Sequence, residues 1–160
     1  MSETIEIKEL NLEQKVTVKS IAPWTTGFKR IESNGDVTIP PEGTVRLQRS
    51  EIISQIQNGN RLFCGVDDRG SHATLYIEDA ETRSEVEFDS DEEKRTQMVL
   101  TPDLVQKLFS YKTMKTFDDK LKEYVKTRAE KCAILEIIKK EKINDFEKIR
   151  AVEKYTGYKL

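Results

Sequence analysis

Thr44-Val45-Arg46-Leu47 alternates polar and apolar side chains. Successive side chains of an extended chain point to opposite faces, so this pattern predicts a half-buried strand. The turn before it, Pro40-Pro41-Glu42-Gly43, supplies a preset φ and a permissive glycine. Ser50 as a cap and Glu51 in the first turn predict a short helix with Ile52, Ile53 and Ile56 as its buried stripe, ended by Asn58-Gly59. Leu62, Cys64 and Val66 alternate again, Asp67-Asp68-Arg69-Gly70 turns the chain, and Ala73, Leu75 and Ile77 are expected to complete a hairpin. Upstream, Val16-Thr17-Val18-Lys19 reads as a strand, followed by a break at Ala22-Pro23-Trp24. Gly27 to Ile31 then pairs with Val37 and Ile39 across Ser33-Asn34-Gly35-Asp36. These elements together predict a small, mostly antiparallel β-barrel or sandwich with one short helix. Residues 1–14, with charge and apolar groups alternating, read as an edge strand or an arm that pairs with another subunit.

The period then changes. Glu78 to Arg95 is dominated by charge and reads as a solvated linker. Thr101-Pro102-Asp103 starts a helix carrying Leu104, Leu108 and Phe109, since the threonine can cap and proline suits the first helical position. A longer helix is predicted from Thr116, with Asp119 completing a capping box and Phe117, Leu121, Tyr124 and Val125 on one face. Its second half, Cys132 to Ile138, is apolar on more than one face and so needs two neighbours: the last helix, and the β module or another chain. That last helix is expected from Asp145 to about Tyr155, with Phe146, Ile149 and Val152 inward and Gly157 as its stop. The fold class is therefore α+β: a β module over 1–88, a charged linker over 89–100, and a domain of about three helices over 101–160.

Charge adds an asymmetry that the net value of −2 hides. Residues 1–90 balance to −6 and residues 91–160 to +4, an acidic front and a basic tail. Cys64 and Cys132 have no neighbouring ligand at metal spacing and read as reduced, buried thiols. The chain has no apolar run long enough to cross a membrane, and its acidic start does not read as a signal peptide. No membrane partner is therefore expected.

Candidate chemistry is sparse. His72 is the only histidine, and Asp67-Asp68-Arg69-Gly70-Ser71-His72 is the one place where carboxylates, a hydroxyl and an imidazole crowd together. A hairpin turn asks for the same residues, with neither a nucleophile elbow nor a HExxH spacing, so the reading is a turn with a polar histidine. Metal binding by Asp67, Asp68 and His72 lacks the ligand spacing of a transition-metal or EF-hand site, and no phosphate-binding glycine motif is present. No catalytic residue, cofactor or metal is assigned, and the protein is read as not an enzyme. Two surfaces remain. Ile134, Leu135, Ile137, Ile138 and Tyr158 are candidate protein-interface residues. Lys29, Arg30, Lys139, Lys140 and Lys142 are candidate nucleic-acid contacts, although intervening glutamates favour a solvated helix face. Trp24 reads as a packing anchor rather than a base-stacking platform.

Ile39-Pro40-Pro41 with Gly43-Thr44, Arg49-Ser50-Glu51-Ile52-Ile53, Gly59-Asn60 and Gly70-Ser71-His72-Ala73 carry a resemblance to small proteins encoded in tailed-bacteriophage genomes, over roughly residues 16–83 and the tail. The resemblance implies a capsid-associated or head-tail component and a location in the virion or the host cytoplasm. The expected function is that of a non-enzymatic structural or assembly protein whose partners are copies of itself or other virion proteins. A small-barrel nucleic-acid-binding or regulatory protein is the alternative.

Overall fold

The computed structural model describes residues 10–160; of the strand or arm expected over residues 1–14, residues 1–9 lie outside them, and residues 10–14 are turn and irregular chain rather than strand. The chain is α+β, with two small antiparallel sheets and seven helices among the described residues. In the first sheet, β1 (Lys15–Ser20) lies between β4 (Thr44–Gln48) and β5 (Leu75–Ile77), antiparallel to both. Val16 stands opposite Leu47, and Val18 opposite Val45 and Ile77. The second sheet is the hairpin of β2 (Thr26–Lys29) and β3 (Asp36–Ile39), with Phe28 opposite Val37. The two sheets do not close into a barrel. Asn34-Gly35 does sit in the hairpin loop, where Gly35 takes a φ of 107° and its carbonyl accepts from the Arg30 amide.

The stretch after β4 departs most from its sequence pattern. Helix α1 (Arg49–Gln57) begins one residue before Ser50, which is therefore inside the helix and caps nothing. Its buried face is Arg49, Glu51, Ile52 and Gln55, while Ile53 and Ile56 are only half-buried. Polar groups can occupy that face because each is satisfied. The Arg49 guanidinium donates to Asp79 (2.8 Å), Thr82 (2.9 Å) and the Asn11 carbonyl (3.0 Å), and the Glu51 carboxylate accepts from the Ile31 amide (3.0 Å). Leu62 and Cys64 are not in a strand. They belong to the single turn α2 (Arg61–Cys64), capped by the Asn60 side chain, so burial runs through neighbours Phe63 and Cys64 rather than alternating. β5 therefore has β1 as its partner instead of a hairpin mate.

The expected solvated linker carries structure. Asp79 caps α3 (Ala80–Glu85), Phe88 is fully buried, and Arg83 pairs with Asp89 at 2.9 Å. Beyond it, Gln97, Val99 and Leu100 are buried too. The Gln97 side-chain amide donates to the Leu75 carbonyl (3.1 Å) and accepts from the Ile77 amide (3.3 Å).

The C-terminal half has four helices rather than about three. α4 (Pro102–Phe109) starts as expected, with Thr101 accepting from the Leu104 amide. The stretch read as one long helix is two, α5 (Met114–Tyr124) and α6 (Arg128–Lys140). The cap of α5 is Thr113, not Thr116, and the capping box lies at Thr127–Glu130, where it opens a new helix. α7 (Phe146–Thr156) is capped by Asp145 and stopped by Gly157 at a φ of 79°. Its Ile149 and Val152 are buried, whereas Phe146, expected inward, is 71% exposed because it stands at the first position of the helix.

Two hydrophobic clusters result. One joins Val16, Val18, Leu47, Ile52, Phe63, Leu75, Ile77 and Phe88. The other gathers α4 to α7 with Val99 and Leu100, and takes in Ile21 and Ala73 from the β half. The two-sided apolar segment thus finds both neighbours within the chain: Ile134, Leu135, Ile137 and Ile138 are all buried. No helix among the described residues is long and apolar enough to cross a membrane.

Candidate functional site at the start of helix α6

His72 is a buried residue at a φ of 58°, a left-handed conformation that a non-glycine residue seldom adopts. Its neighbours hold it there. The chain winds back on itself from Gly65 to Gly70, and the Gly70 amide donates to the Cys64 carbonyl at 2.8 Å. Gly65 has a φ of 72°, and a Cβ there would stand 2.1 Å from the Ser71 carbonyl oxygen, so only glycine fits. The His72 amide donates to the Met98 carbonyl at 2.9 Å.

The crowd of polar residues seen in the sequence separates into two networks. In the first, the Ser71 hydroxyl donates to Asp67 (2.6 Å) and accepts from Arg95 (2.7 Å), while the other Asp67 oxygen accepts from the Arg69 and Ser71 amides. Burial works against the Asp67 carboxylate, but these hydrogen bonds and the Arg95 charge outweigh it and hold its pKa below the usual value. In the second, His72 Nδ1 lies 2.7 Å from Glu130, whose side chain is 1% exposed. Ser71 and His72 are thus neighbours in sequence with separate partners. The expected polar turn histidine is instead half of a buried pair, whose other half is 58 residues away.

Glu130 serves both halves of the molecule. One of its oxygens accepts from the Lys126 and Thr127 amides, each at 3.0 Å, and from the Thr127 hydroxyl at 3.2 Å, while the carboxylate as a whole faces the imidazole. A carboxylate only accepts, so Nδ1 donates to it, and in the neutral ring Nε2 is left as an acceptor. Nε2 has no partner among the described residues, and no side-chain nitrogen or oxygen among them is fully buried without one. His72 lines a cleft of about 290 Å³ with Asn60, Arg61, Leu62, Val66, Thr74 and Thr127.

The start of α6 also gathers aromatic and cationic side chains. Arg128 stacks 5.2 Å over the Trp24 ring, and Lys131 lies 5.6 Å from the Tyr155 ring centroid. The Tyr155 hydroxyl donates to the Val125 carbonyl at 2.7 Å, which brings the end of α7 beside the Lys126-Thr127 turn. Tyr158, just past α7, is 41% exposed, and Val66, which lines the cleft, is 58% exposed.

Of the candidate interface residues, then, only Tyr158 is on the surface. The basic candidates are divided. Lys29 and Arg30 flank the β2–β3 loop, where the Lys29 carbonyl accepts from Gln55, whereas Lys139, Lys140 and Lys142 lie at the far end of α6. Lys139 pairs with Glu136 and Lys140 with Glu42. Cys64 and Cys132 are both free thiols, and burial, then the nearby Asp68 charge, raises the Cys64 pKa. The described residues contain no group of three or more side chains able to hold a metal ion. Nothing in the sequence marks Glu130 or Arg61 as members of a site, and Val66 reads there only as a strand position. The Thr127–Glu130 capping pattern was the readable signal, since it places a helix start where a single helix was expected. Comparison with family models, curated proteins and solved structures finds no match to this chain.

Proposed function

We propose that this chain is a non-enzymatic structural or assembly protein that acts through protein contacts, and that the surface around the start of α6 makes them. One observation carries the reading: Trp24, Arg128 and Tyr155 gather at the start of a single helix whose cap residue, Thr127, lines a cleft together with Arg61. Tryptophan, tyrosine and arginine are the residue types over-represented where protein interfaces concentrate their binding energy, since each brings a large apolar area with a polar tip. The likeness of residues 16–83 and the tail to tailed-bacteriophage proteins supports a setting in the particle or its assembly, as a capsid-associated or head-tail component.

Lys126 and Lys131 flank this surface, so amine crosslinking followed by mass spectrometry tests the reading in the natural assembly. Crosslinks to protein should concentrate at these two lysines, and an Arg61→Glu, Arg128→Glu double variant should lose them while remaining folded. Binding to DNA or RNA with a steep salt dependence, lost on neutralising Lys29, Arg30, Lys139, Lys140 and Lys142, would overturn the proposal in favour of a nucleic-acid binder.

A further inference from the structure

Side chains alternate across the first sheet, so Val16 and Val18 of β1 are buried while Lys15 and Lys19 are exposed on the opposite face. Arg46 of β4, also exposed, stands opposite Thr17, midway between the two lysines. A strand rises about 3.4 Å per residue and its neighbour runs about 4.8 Å away, so the lysines are spaced about 13 Å apart with the arginine to one side. None of these three cations makes an ion pair among the described residues. The outward face of the sheet thus carries an unmatched positive triad. Lys19 also stands opposite Tyr76 of β5, and there the helical half packs against the same face. The two line a cleft of about 150 Å³ together with Ile21, Val99, Pro102 and Ile137. That is well below the size of typical small-molecule pockets, about 300 Å³ and upward, and suits one inserted apolar side chain.

We infer that an acidic, extended segment of a partner protein docks on this face, with carboxylates over Lys15, Lys19 and Arg46 and one apolar side chain in the cleft. Charge complementarity identifies the occupant. An extended peptide turns every second side chain to the same side at intervals of about 6.8 Å, so carboxylates four residues apart match the lysine spacing. A nucleic acid matches less well. Its regularly spaced phosphates would meet Glu78, which is exposed just past β5 and whose amide donates to the Thr17 carbonyl, whereas a peptide can leave that position uncharged. The aromatic ring of the face is no stacking platform either, because the Arg83 guanidinium already lies over Tyr76, 5.2 Å from its centroid. The inference rests on the protein-contact reading above and adds a second surface to it, at the other end of α6, where Ile137 and Lys140 line the cleft.

The experiment is a fluorescence-anisotropy titration of the full chain against a labelled synthetic peptide in which glutamate alternates with serine and a leucine stands at each end. The peptide should bind, more weakly as salt rises, and a Lys15→Glu, Lys19→Glu, Arg46→Glu triple variant should weaken it on the order of tenfold or more. The milder Lys19→Ala, Arg46→Ala pair, which removes charge without reversing it, should cost about threefold. Replacing the leucines of the peptide by serine should weaken binding on the order of tenfold, the loss of one buried apolar side chain. The Arg61→Glu, Arg128→Glu double variant should bind the peptide as the wild type does. Absence of binding, binding indifferent to the sheet variants or to the leucines, or loss of binding in the Arg61→Glu, Arg128→Glu variant would each overturn the inference. So would a labelled oligothymidylate that binds the chain more tightly than the peptide. Protein crosslinks through Lys126 and Lys131 that persist alongside any of those results would sink this inference alone and leave the functional reading standing.

Discussion

Replacing Glu130 by alanine would remove the acceptor used by the Lys126 and Thr127 amides and would leave His72 Nδ1 without a partner in the same step. Leaving several buried polar groups unsatisfied is costly, so a loss on the order of 3 kcal/mol is expected in urea unfolding. Thr127→Ala removes only the hydroxyl of the capping box and should cost about 1 kcal/mol. Equal losses for the two variants would mean that the His72–Glu130 contact adds nothing to the cap. Asp79 offers a pH test. Burial opposes its charge, but the Thr82 and Arg49 hydrogen bonds and the Arg49 charge outweigh it and lower the carboxyl pKa in the fold. A lowered folded-state value means that the stabilisation is fully present above the ordinary carboxylate pKa of about 3.9 and disappears as pH falls through the folded value. Asp79→Asn should therefore flatten the stability profile in that acid window, and an unchanged acid slope would show that Asp79 does not contribute there. In the sequence the DDRGSH turn was legible as a crowded polar site, but its decisive partner was not, because Glu130 is one of many glutamates in a charged tail and only folding brings it to His72.

At the scale of elements, the helices that kept their place are those with local chemistry at the ends. Thr101-Pro102 begins α4 and Gly157 ends α7 where the sequence indicates, since a cap or a left-handed glycine acts within a few residues. The region from Arg49 to Ile77 departs from its sequence pattern because tertiary partners decide it: Arg49 and Glu51 are buried against groups 20 to 38 residues away, so the inward face of α1 is not its most apolar one. This reversal has a direct test. Ile52 is fully buried and Ile53 half-buried, so Ile52→Asp should abolish cooperative unfolding of the β half while Ile53→Asp should leave a folded, weakened protein. The opposite ranking, read from urea titrations, would mean that α1 is rotated. Gly65→Ala should disrupt the 65–72 loop for a separate reason, the clash with the Ser71 carbonyl together with a φ of 72°.

For the whole molecule, the two hydrophobic clusters are linked by Ile21 and Ala73, by the His72–Glu130 pair and by Arg128 over Trp24. Trp24 fluorescence and far-ultraviolet dichroism should accordingly report one coincident unfolding transition; two separated midpoints would show that the halves unfold independently. The exposed stretch 91–94 is the expected first site of limited proteolysis, and because Phe88 and Gln97 on either side are buried, the nicked fragments should stay together. Gln97 bears on a different matter. Its side-chain amide donates to the Leu75 carbonyl and accepts from the Ile77 amide, so it imitates one rung of a neighbouring strand along β5. A foreign strand arriving at that edge would find these positions already taken, and the sheet is blocked from lengthening into a fibril on that side by one residue that belongs to no strand. Gln97→Ala would reopen the edge, and slow, thioflavin-positive aggregation of a protein still folded at the start would be its signature.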